Sequence, residues 1–275
     1  MADFIGSSPL GQKTAYVSTY DANLLFPIPR SESRNALGLA DNLPFYGQDI
    51  WTGYELSWLN LKGKPEVAVA EFSIPFNSPT IIESKSFKLY LNSLNQTKFS
   101  GLDEVKALLV KDLSRVAGAD VDVSLHSLRN SKLLIDATFD AVCIDELDIA
   151  VDSYHPQQIF LRASKTEHTT EALCSHLLKS NCPVTGQPDW ASVFIEYTGA
   201  KIDHESLLKY VISFRDHQDF HEHCVERMFT DILRECEPKS LSVYARYTRR
   251  GGLDINPFRS TEKDAVPKVG RLLRQ

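Results

Sequence analysis

The order of structural signals in this chain comes round twice, about 120 residues apart, and that repetition restricts the fold more than any single motif does. In the first pass, residues 50–61 and 66–74 alternate apolar and polar positions on either side of K-G-K-P, which reads as a β-hairpin. Phe87, Tyr90, Leu91 and Leu94 then fall at helical spacing. A second helix is expected from Leu102 to Val116, with Ser100 and Asp103 set as a capping box and Gly118 at its exit. Strands over 120–128 and 133–142 would close a β-β-α-α-β-β unit.

The second pass has extended segments at 158–162, 172–178 and 191–197, then a helix from Glu205 to Phe214 and a stronger one from Phe220 to Cys236. In the stronger helix Cys224, Val225, Met228, Phe229, Ile232 and Leu233 share one apolar face, with Asp219 expected as N-cap and Glu222 at N3. Extended segments at 240–247 and 252–255 finish it. Glu83-Ser84 and Tyr90 align by wording with Glu205-Ser206 and Tyr210, which puts Leu207 where Lys85 would stand. The chain therefore reads as an α+β protein of two tandem modules, 1–150 and 151–275, each with an antiparallel sheet and helices on one face. Residues 1–50, with scattered Pro, Gly, Ser and Asn, read as an irregular strap.

With 275 residues and 43% apolar content, both modules can bury a core. Neither an apolar run of membrane-spanning length nor a signal-peptide pattern is present at the N-terminus, so a cytoplasmic protein is expected. The five cysteines are odd in number and scattered, which predicts free thiols. Net charge is −6, yet residues 239–275 hold nine Lys/Arg against three Asp/Glu, a balance of +6 that leaves −12 elsewhere. A cationic end on an acidic protein suits a small anionic ligand better than extended nucleic acid.

The stretch S-N-C-P-V-T-G-Q-P-D-W (180–190) carries the chemistry. Pro183, Gly186 and Pro188 make it turn, so Cys182 and Asp189 can fold toward each other. A thiol attacks as thiolate, and Asp189 is one candidate proton acceptor. The plainer alternative is a small buried residue beside a turn carboxylate. His217, His221, His223 and Cys224 form a ligand-like cluster, and zinc with Cys182 or Cys224 is conceivable, although H-E-x-x-H and paired cysteines are missing. His221 and Glu222 read first as a surface capping pair and otherwise as ligand contacts, with Glu222 and Glu83 accepting from N–H groups of a guanine-like edge. Arg249, Arg250, Gly251 and Gly252 offer guanidinium forks beside backbone that a phosphate can approach. No G-x-G-x-x-G is present, so a nicotinamide cofactor would not sit on a Rossmann fold.

Four motifs in order, E-S-K-S-F-K-L-Y, C-P-V-T-G-Q-P-D-W, S-F-R-D-H-Q-D-F-H-E and R-G-G, resemble the queuosine-pathway nitrile reductases, the NADPH-dependent 7-cyano-7-deazaguanine reductases in their long two-module form. The resemblance spans roughly residues 50–260. It implies a tandem tunnelling fold, a homodimer, and reduction of a 7-deazapurine nitrile to the aminomethyl compound with two NADPH per turnover and no metal. It also implies that Cys182 is the nucleophile of a covalent thioimide and Asp189 the proton donor. Ile81, Ile82, Glu83, His221 and Glu222 match substrate-binding positions; Ser84, Lys85, Arg250 and Gly251 match NADPH-binding ones. One composite site per chain is implied, with no direct nucleic-acid or membrane contact. A zinc-dependent cyclohydrolase on the same fold and a non-catalytic RNA-binding module are the alternatives from other classes.

Overall fold

The computed structural model describes residues 17–39, 42–128, 140–272 and 274–275. They fall into two compact units. One draws on Met1–Ala36, Asp49–Leu133 and Arg249–Asp254, the other on Leu37–Gln48, Leu134–Thr248 and Ile255–Gln275. Two of the boundaries between these segments fall inside strands, β2 (Tyr46–Leu59) and β11 (Leu253–Ser260).

In the first unit β2, β3 (Pro65–Pro75) and β5 (Asp122–Ser127) form a sheet in the order β5-β3-β2. The turn between β2 and β3 is held by Asn60, whose Oδ1 accepts the backbone N–H groups of Lys62 and Lys64 at 3.0 Å. Along β3, Ala68, Ala70, Phe72 and Ile74 are buried; on the other face Val67 and Glu71 are exposed and Val69 is covered. Helix α2 (Ser84–Ser93) covers that buried side with Phe87, whose ring lies 4.9 Å from Phe72 and 5.3 Å from Trp51. Helix α3 (Leu102–Ala117) ends on Gly118, whose φ of 69° is the left-handed geometry expected of a C-cap. Its start differs from the capping box expected with Asp103. Gly101 is the N-cap, and the N–H and hydroxyl of Ser100 instead donate to Glu104 at 2.7 Å.

The described part of the N-terminal segment is integral to this core, which corrects the expectation of an irregular strap. Strand β1 (Pro27–Pro29) pairs antiparallel with β4 (Thr80–Ile82), and helix α1 (Ser31–Ala36) follows. Arg30 and Asp49 form a fully buried ion pair at 2.5 Å, with Arg30 also donating to Ser78 Oγ. Breaking one partner of such a pair leaves an uncompensated buried charge, which costs about 3–5 kcal/mol. The strand expected over 133–142 falls mostly outside the described residues; only Val142–Cys143, labelled β6, pairs within them.

The second unit's sheet runs β11-β10-β9-β7-β6, with β10 at Ser240–Tyr247, β9 at Pro188–Ile202 and β7 at Ala163–Ser175. A short β8 (Lys179–Asn181) pairs with the start of β9. Residues 158–160 form a 3-10 turn rather than a strand, and Gln158 uses its side chain to donate to Asp231 at 2.6 Å. β7 begins at Ala163, well before the expected 172, because its first half is polar on both faces and gives no apolar alternation to read. Helices α4 (His204–Ser213) and α5 (His221–Cys236) close the unit, with Cys224, Val225, Met228, Phe229 and Ile232 buried along α5. Arg259 pairs with Glu226 of α5 at 2.9 Å, both fully buried. Some of the C-terminal cations are engaged within the unit: Arg246 donates to Gln275 and Tyr244 and is buried like Arg259, Arg274 donates to the carbonyl of His176, and Lys268 pairs with Glu196 at the surface. No helix among the described residues is long and apolar enough to cross a membrane.

The repeat is visible in bonds inside each unit, and they correct its register. Tyr90 donates to Asp112 at 2.8 Å and Tyr210 to Asp231 at 2.6 Å. Ser86 and Ser206 return their hydroxyls to the carbonyls of Glu83 and Asp203, and Ser93 and Ser213 to those of Tyr90 and Tyr210. Glu83 thus corresponds to Asp203, Lys85 to Glu205 and Lys88 to Leu208. The Glu-Ser wording at 205–206 is a coincidence of letters two places out of step with the cap.

Candidate active site

The Cys182 stretch lies in the second unit and is more regular than its prolines and glycine suggest. Ser180 pairs with Asp189 and Asn181 with Pro188, so both flanks are strand, and Pro188 occupies the first position of β9, where a missing N–H is tolerated. Only 182–187 turns: Cys182 N–H donates to Gln187 O at 2.9 Å, and Gly186, at φ 66°, donates to Cys182 O at 3.0 Å. Side chains on paired strands share a face when opposite or two apart, so Ser180, Cys182 and Asp189 point to the same side. Asn181 points away and anchors the hairpin. Its N–H donates to His217 O (2.8 Å), its carbonyl accepts from Asp219 N (3.1 Å), and its Nδ2 donates to Arg215 O (3.2 Å).

That anchoring ties the hairpin to the approach of α5. Phe220, not Asp219, is the N-cap of α5, no side chain caps the helix, and Glu222 is its second residue rather than N3. The reason is that Asp219 is already engaged: its Oδ1 accepts from Phe220 N at 2.8 Å and from His223 Nδ1 at 2.9 Å, while His217 lies 3.6 Å from Oδ2. Burial opposes ionisation of Asp219, but the bonds from His217 and His223 outweigh it and hold the carboxyl well below its ordinary range. His217 and His223 are thereby turned to Asp219 rather than gathered with His221 around a metal position.

His221 turns instead to the hairpin. Its Nε2 lies 3.3 Å from Asp189 Oδ2, and its ring stacks on Tyr247 with centroids 3.9 Å apart and planes 18° from parallel. Cys182, Asp189 and Glu222 are only 6%, 4% and 2% exposed, so the surface capping pair is not what the structure contains. Glu222 sits in the first turn, where the positive end of the helix dipole favours a carboxylate. Ser180 Oγ and Tyr247 Oη are buried facing one another and the Cys224 thiol, and His221 Nδ1 is buried without a hydrogen-bond partner. A polar ligand would complete His221 Nδ1. Tyr247 and Ser180 were not singled out in the sequence; Tyr247 is recognisable only once β10 is known to face α5. Burial pushes Cys174 and Cys236 up to about 12 and Cys224 well above the ordinary thiol range.

The remaining candidates lie in the first unit. Ile81 and Ile82 are buried in β4. Glu83 is fully buried and caps α2, its two oxygens accepting the N–H groups of Lys85 and Ser86 at 2.7 and 2.8 Å. Burial raises its pKa, opposed by those two bonds and by Lys88 and Lys85. Ser84 opens α2. Arg250 and Leu253 exchange backbone hydrogen bonds across Gly251 and Gly252, which have φ of 60° and 77° and so form a two-residue hairpin turn that glycine alone adopts without strain. Lys88 lies along Gly251, its Cδ 3.3 Å from where a Cβ would be. Sequence reasoning quoted Lys88 without assigning it; its place one turn after Lys85 on α2 was the available signal. Arg249 extends its guanidinium over the Tyr54 ring at 5.0 Å.

A buried thiol on a braced hairpin, a carboxylate on the same hairpin and an imidazole against that carboxylate bring together groups suited to covalent and proton-transfer chemistry. Comparison with known proteins gives the family. Residues 16–125 match the model described as nitrile reductase, 7-cyano-7-deazaguanine-reductase N-term, and residues 188–266 match that of QueF-like protein. Among similar proteins, the NADPH-dependent 7-cyano-7-deazaguanine reductase of Dechloromonas aromatica is 55% identical, covering 100% of this chain and 98% of its own length. The protein of the same name from Chromobacterium violaceum is 58% identical over 94% of this chain and 93% of its own, and that from Burkholderia multivorans 55% over 98% of each. The chain belongs to the NADPH-dependent 7-cyano-7-deazaguanine reductase family, as its motifs had indicated.

Proposed function

We propose that this protein reduces the nitrile of 7-cyano-7-deazaguanine to 7-aminomethyl-7-deazaguanine, using two NADPH, through a thioimide on Cys182. The observation that carries the reading is the shared face of Cys182 and Asp189 on the hairpin at 180–190, in a chain more than half identical, end to end, to reductases of that name. A nitrile carbon accepts hydride poorly. When Cys182 sulfur bonds to it, one C–N π bond breaks and the nitrogen takes a proton, in this reading from Asp189. The resulting sp² carbon is a better acceptor. After the first reduction the C–S bond breaks, sulfur leaves with its electron pair, and an imine remains to be reduced once more. NADPH supplies one hydride at each stage.

His221 holds Asp189 in place through the 3.3 Å contact and is itself held by Tyr247. The buried carboxylate of Glu222 accepts from the substrate's N–H groups, and burial of the whole cluster keeps water from the imine. Ile81, Ile82 and Glu83 complete the substrate positions by motif. Glu83 then serves ligand and helix cap together. For the anionic cofactor the residues fit: Ser84, Lys85 and Arg250 supply donors, Gly251 leaves the backbone bare, and Lys88 joins them by lying along Gly251. We infer also that residues 1–150 and 151–275 descend from one duplicated module, a reading supported by the paired Tyr–Asp bonds, and that the protein works as a cytoplasmic homodimer.

The test is Cys182→Ala. Turnover should fall to the detection limit with the thermal midpoint and NADPH binding retained, while the unaltered protein mixed with the nitrile alone gains one substrate mass per chain. Retained turnover in the variant would sink the mechanism.

A further inference from the structure

Away from Cys182, a second group of soft ligands is assembled at the edge of the second unit's sheet. β6 and β7 run parallel there, with Val142 opposite Leu173 and Cys143 opposite Cys174. Directly opposed residues share a face, and His176, two places beyond Cys174, returns to it. The ligand atoms of Cys143, Cys174 and His176 all lie within 4.8 Å of one another. Tetrahedral zinc with Zn–S of about 2.3 Å separates two sulfurs by about 3.8 Å, so a modest inward movement suffices.

The surroundings hold this arrangement. Ile144 N–H donates to Cys174 O at 3.0 Å, locking the register beside Cys143. His176 Nδ1 is 2.8 Å from Ser192 Oγ, which fixes the ring's rotation, as outer partners of ligating histidines do. Asp145 accepts from His176 N–H at 2.8 Å and from Ser175 Oγ at 2.6 Å, adding negative charge close by; Arg274, which donates to His176 O, is the opposing cation. Cys143 is exposed and Cys174 buried, so an ion has a path in from solvent.

We propose that Cys143, Cys174 and His176 form a binding site for one thiophilic divalent cation of the zinc class, which clips the two-residue strand β6 to β7. Two thiolates and an imidazole select for zinc-like ions over magnesium or calcium. Binding releases the two thiol protons and fills three of four tetrahedral positions, the fourth taking water. The site lies outside the catalytic cluster and plays no part in hydride chemistry.

The test is anaerobic titration of the full chain with Co²⁺ alone. One cobalt per chain should bind with a thiolate-to-metal charge-transfer band and tetrahedral visible bands, and should raise the thermal midpoint. Cys143→Ser, an exposed change that leaves the metal-free midpoint and nitrile-dependent NADPH oxidation intact, should weaken cobalt binding at least tenfold and remove the midpoint rise. Cys182→Ser should leave spectrum and affinity unchanged. The proposal is overturned if the unaltered protein shows no thiolate band, or if the band survives in Cys143→Ser and disappears in Cys182→Ser. It is equally overturned if Cys143 and Cys174 are recovered as a disulfide and the reduced chain takes up no cobalt.

Discussion

In the first unit Tyr90 and Tyr20 both donate to Oδ2 of Asp112; in the second, Tyr210 donates to Oδ2 of Asp231 and Gln158 to Oδ1. Around that common bond the two units keep the same serine contacts, yet they differ at two places that matter for chemistry. The connection between the first two long strands is the five residues of 60–64 in one and the twelve of 176–187 in the other, and the longer one carries β8 and Cys182. The first two turns offer Lys85 and Lys88 in α2 and Glu205 and Leu208 in α4. The buried framework is common to both units, and the candidate reactive groups lie in a connection and a helix end, where the core does not have to repack.

The largest effect that separates the units is expected at Glu222. Glu222→Gln replaces a buried acceptor with a group that presents N–H to N–H, and hydrogen bonds to charged groups are worth about 1.5–3 kcal/mol. Nitrile affinity should fall about tenfold to a hundredfold in titration calorimetry, with adduct formation at Cys182 falling in parallel. Glu205→Gln, in the matching first helix position of Lys85, should change neither. Equal substrate defects at both positions would mean that the units do not divide the labour in this way.

Next in size is the acid sensitivity contributed by Asp219. Its folded pKa is depressed, so the unfolded chain binds more protons at low pH, and the stabilisation is full above the unfolded value of about 3.9 and is lost as pH falls through the folded one. Asp219→Asn should cost about 2–3 kcal/mol at neutral pH and flatten the acid limb of the stability curve. Denaturant titrations at a series of pH values read both quantities, and an unchanged acid limb would show that the His217–Asp219–His223 cluster is not what stabilises the approach to α5.

The shared Tyr–Asp bond gives a smaller and asymmetric prediction. Tyr210→Phe leaves Oδ2 of Asp231 without its donor, at about 1.5 kcal/mol or more. Tyr90→Phe should cost less, because Tyr20 still donates to Oδ2 of Asp112 at 2.8 Å. The reverse order in chemical denaturation would break the equivalence drawn between the two bonds.

The sequence disclosed the repeat because each unit alternates apolar residues on β3 or β9 and spaces them helically on α2 to α5. It also disclosed the hairpin, since Cys182, Gly186 and Asp189 stand among turn-forming residues. What it concealed has physical causes. The first half of β7 is polar on both faces, so the ladder to β9 leaves no periodicity. Arg246, Arg259 and Arg274 look like surface charge by composition, and their partners Gln275, Glu226 and the His176 carbonyl are 29, 33 and 98 residues distant, beyond any local pattern. The stacking of Tyr247 on His221 arises from the same long-range closure. The register error at Glu205 came from matching letters, whereas the cap is defined by which carboxylate accepts the N–H at 86 or 206.

That corrected register makes Glu83 and Asp203 the sharpest pair. Each accepts the backbone N–H of the residue three places on, at 2.8 Å in both cases, and Glu83 accepts a second from Lys85 at 2.7 Å. Asp203→Asn keeps an acceptor oxygen and should cost about 1 kcal/mol or less, since whole capping interactions are worth roughly 0.5–2 kcal/mol. Glu83→Gln also keeps one acceptor but must give up one of two bonds, so a similar or slightly larger loss is expected. Burial raises the Glu83 pKa, so the folded chain takes up a proton there more readily than the unfolded one; the stability this contributes is full below the unfolded pKa and is lost as pH rises through the folded pKa. The neutral Gln removes this term, and the stability gap between Glu83→Gln and the unaltered protein should narrow from acid to neutral pH. Ligand binding then separates the pair: Asp203→Asn should bind the nitrile and NADPH as before, whereas Glu83→Gln should lose nitrile affinity well beyond what its small loss of stability accounts for. If both variants lose stability alike and neither changes affinity, Glu83 is a helix cap and nothing more, and the substrate positions of the first unit reduce to Ile81 and Ile82.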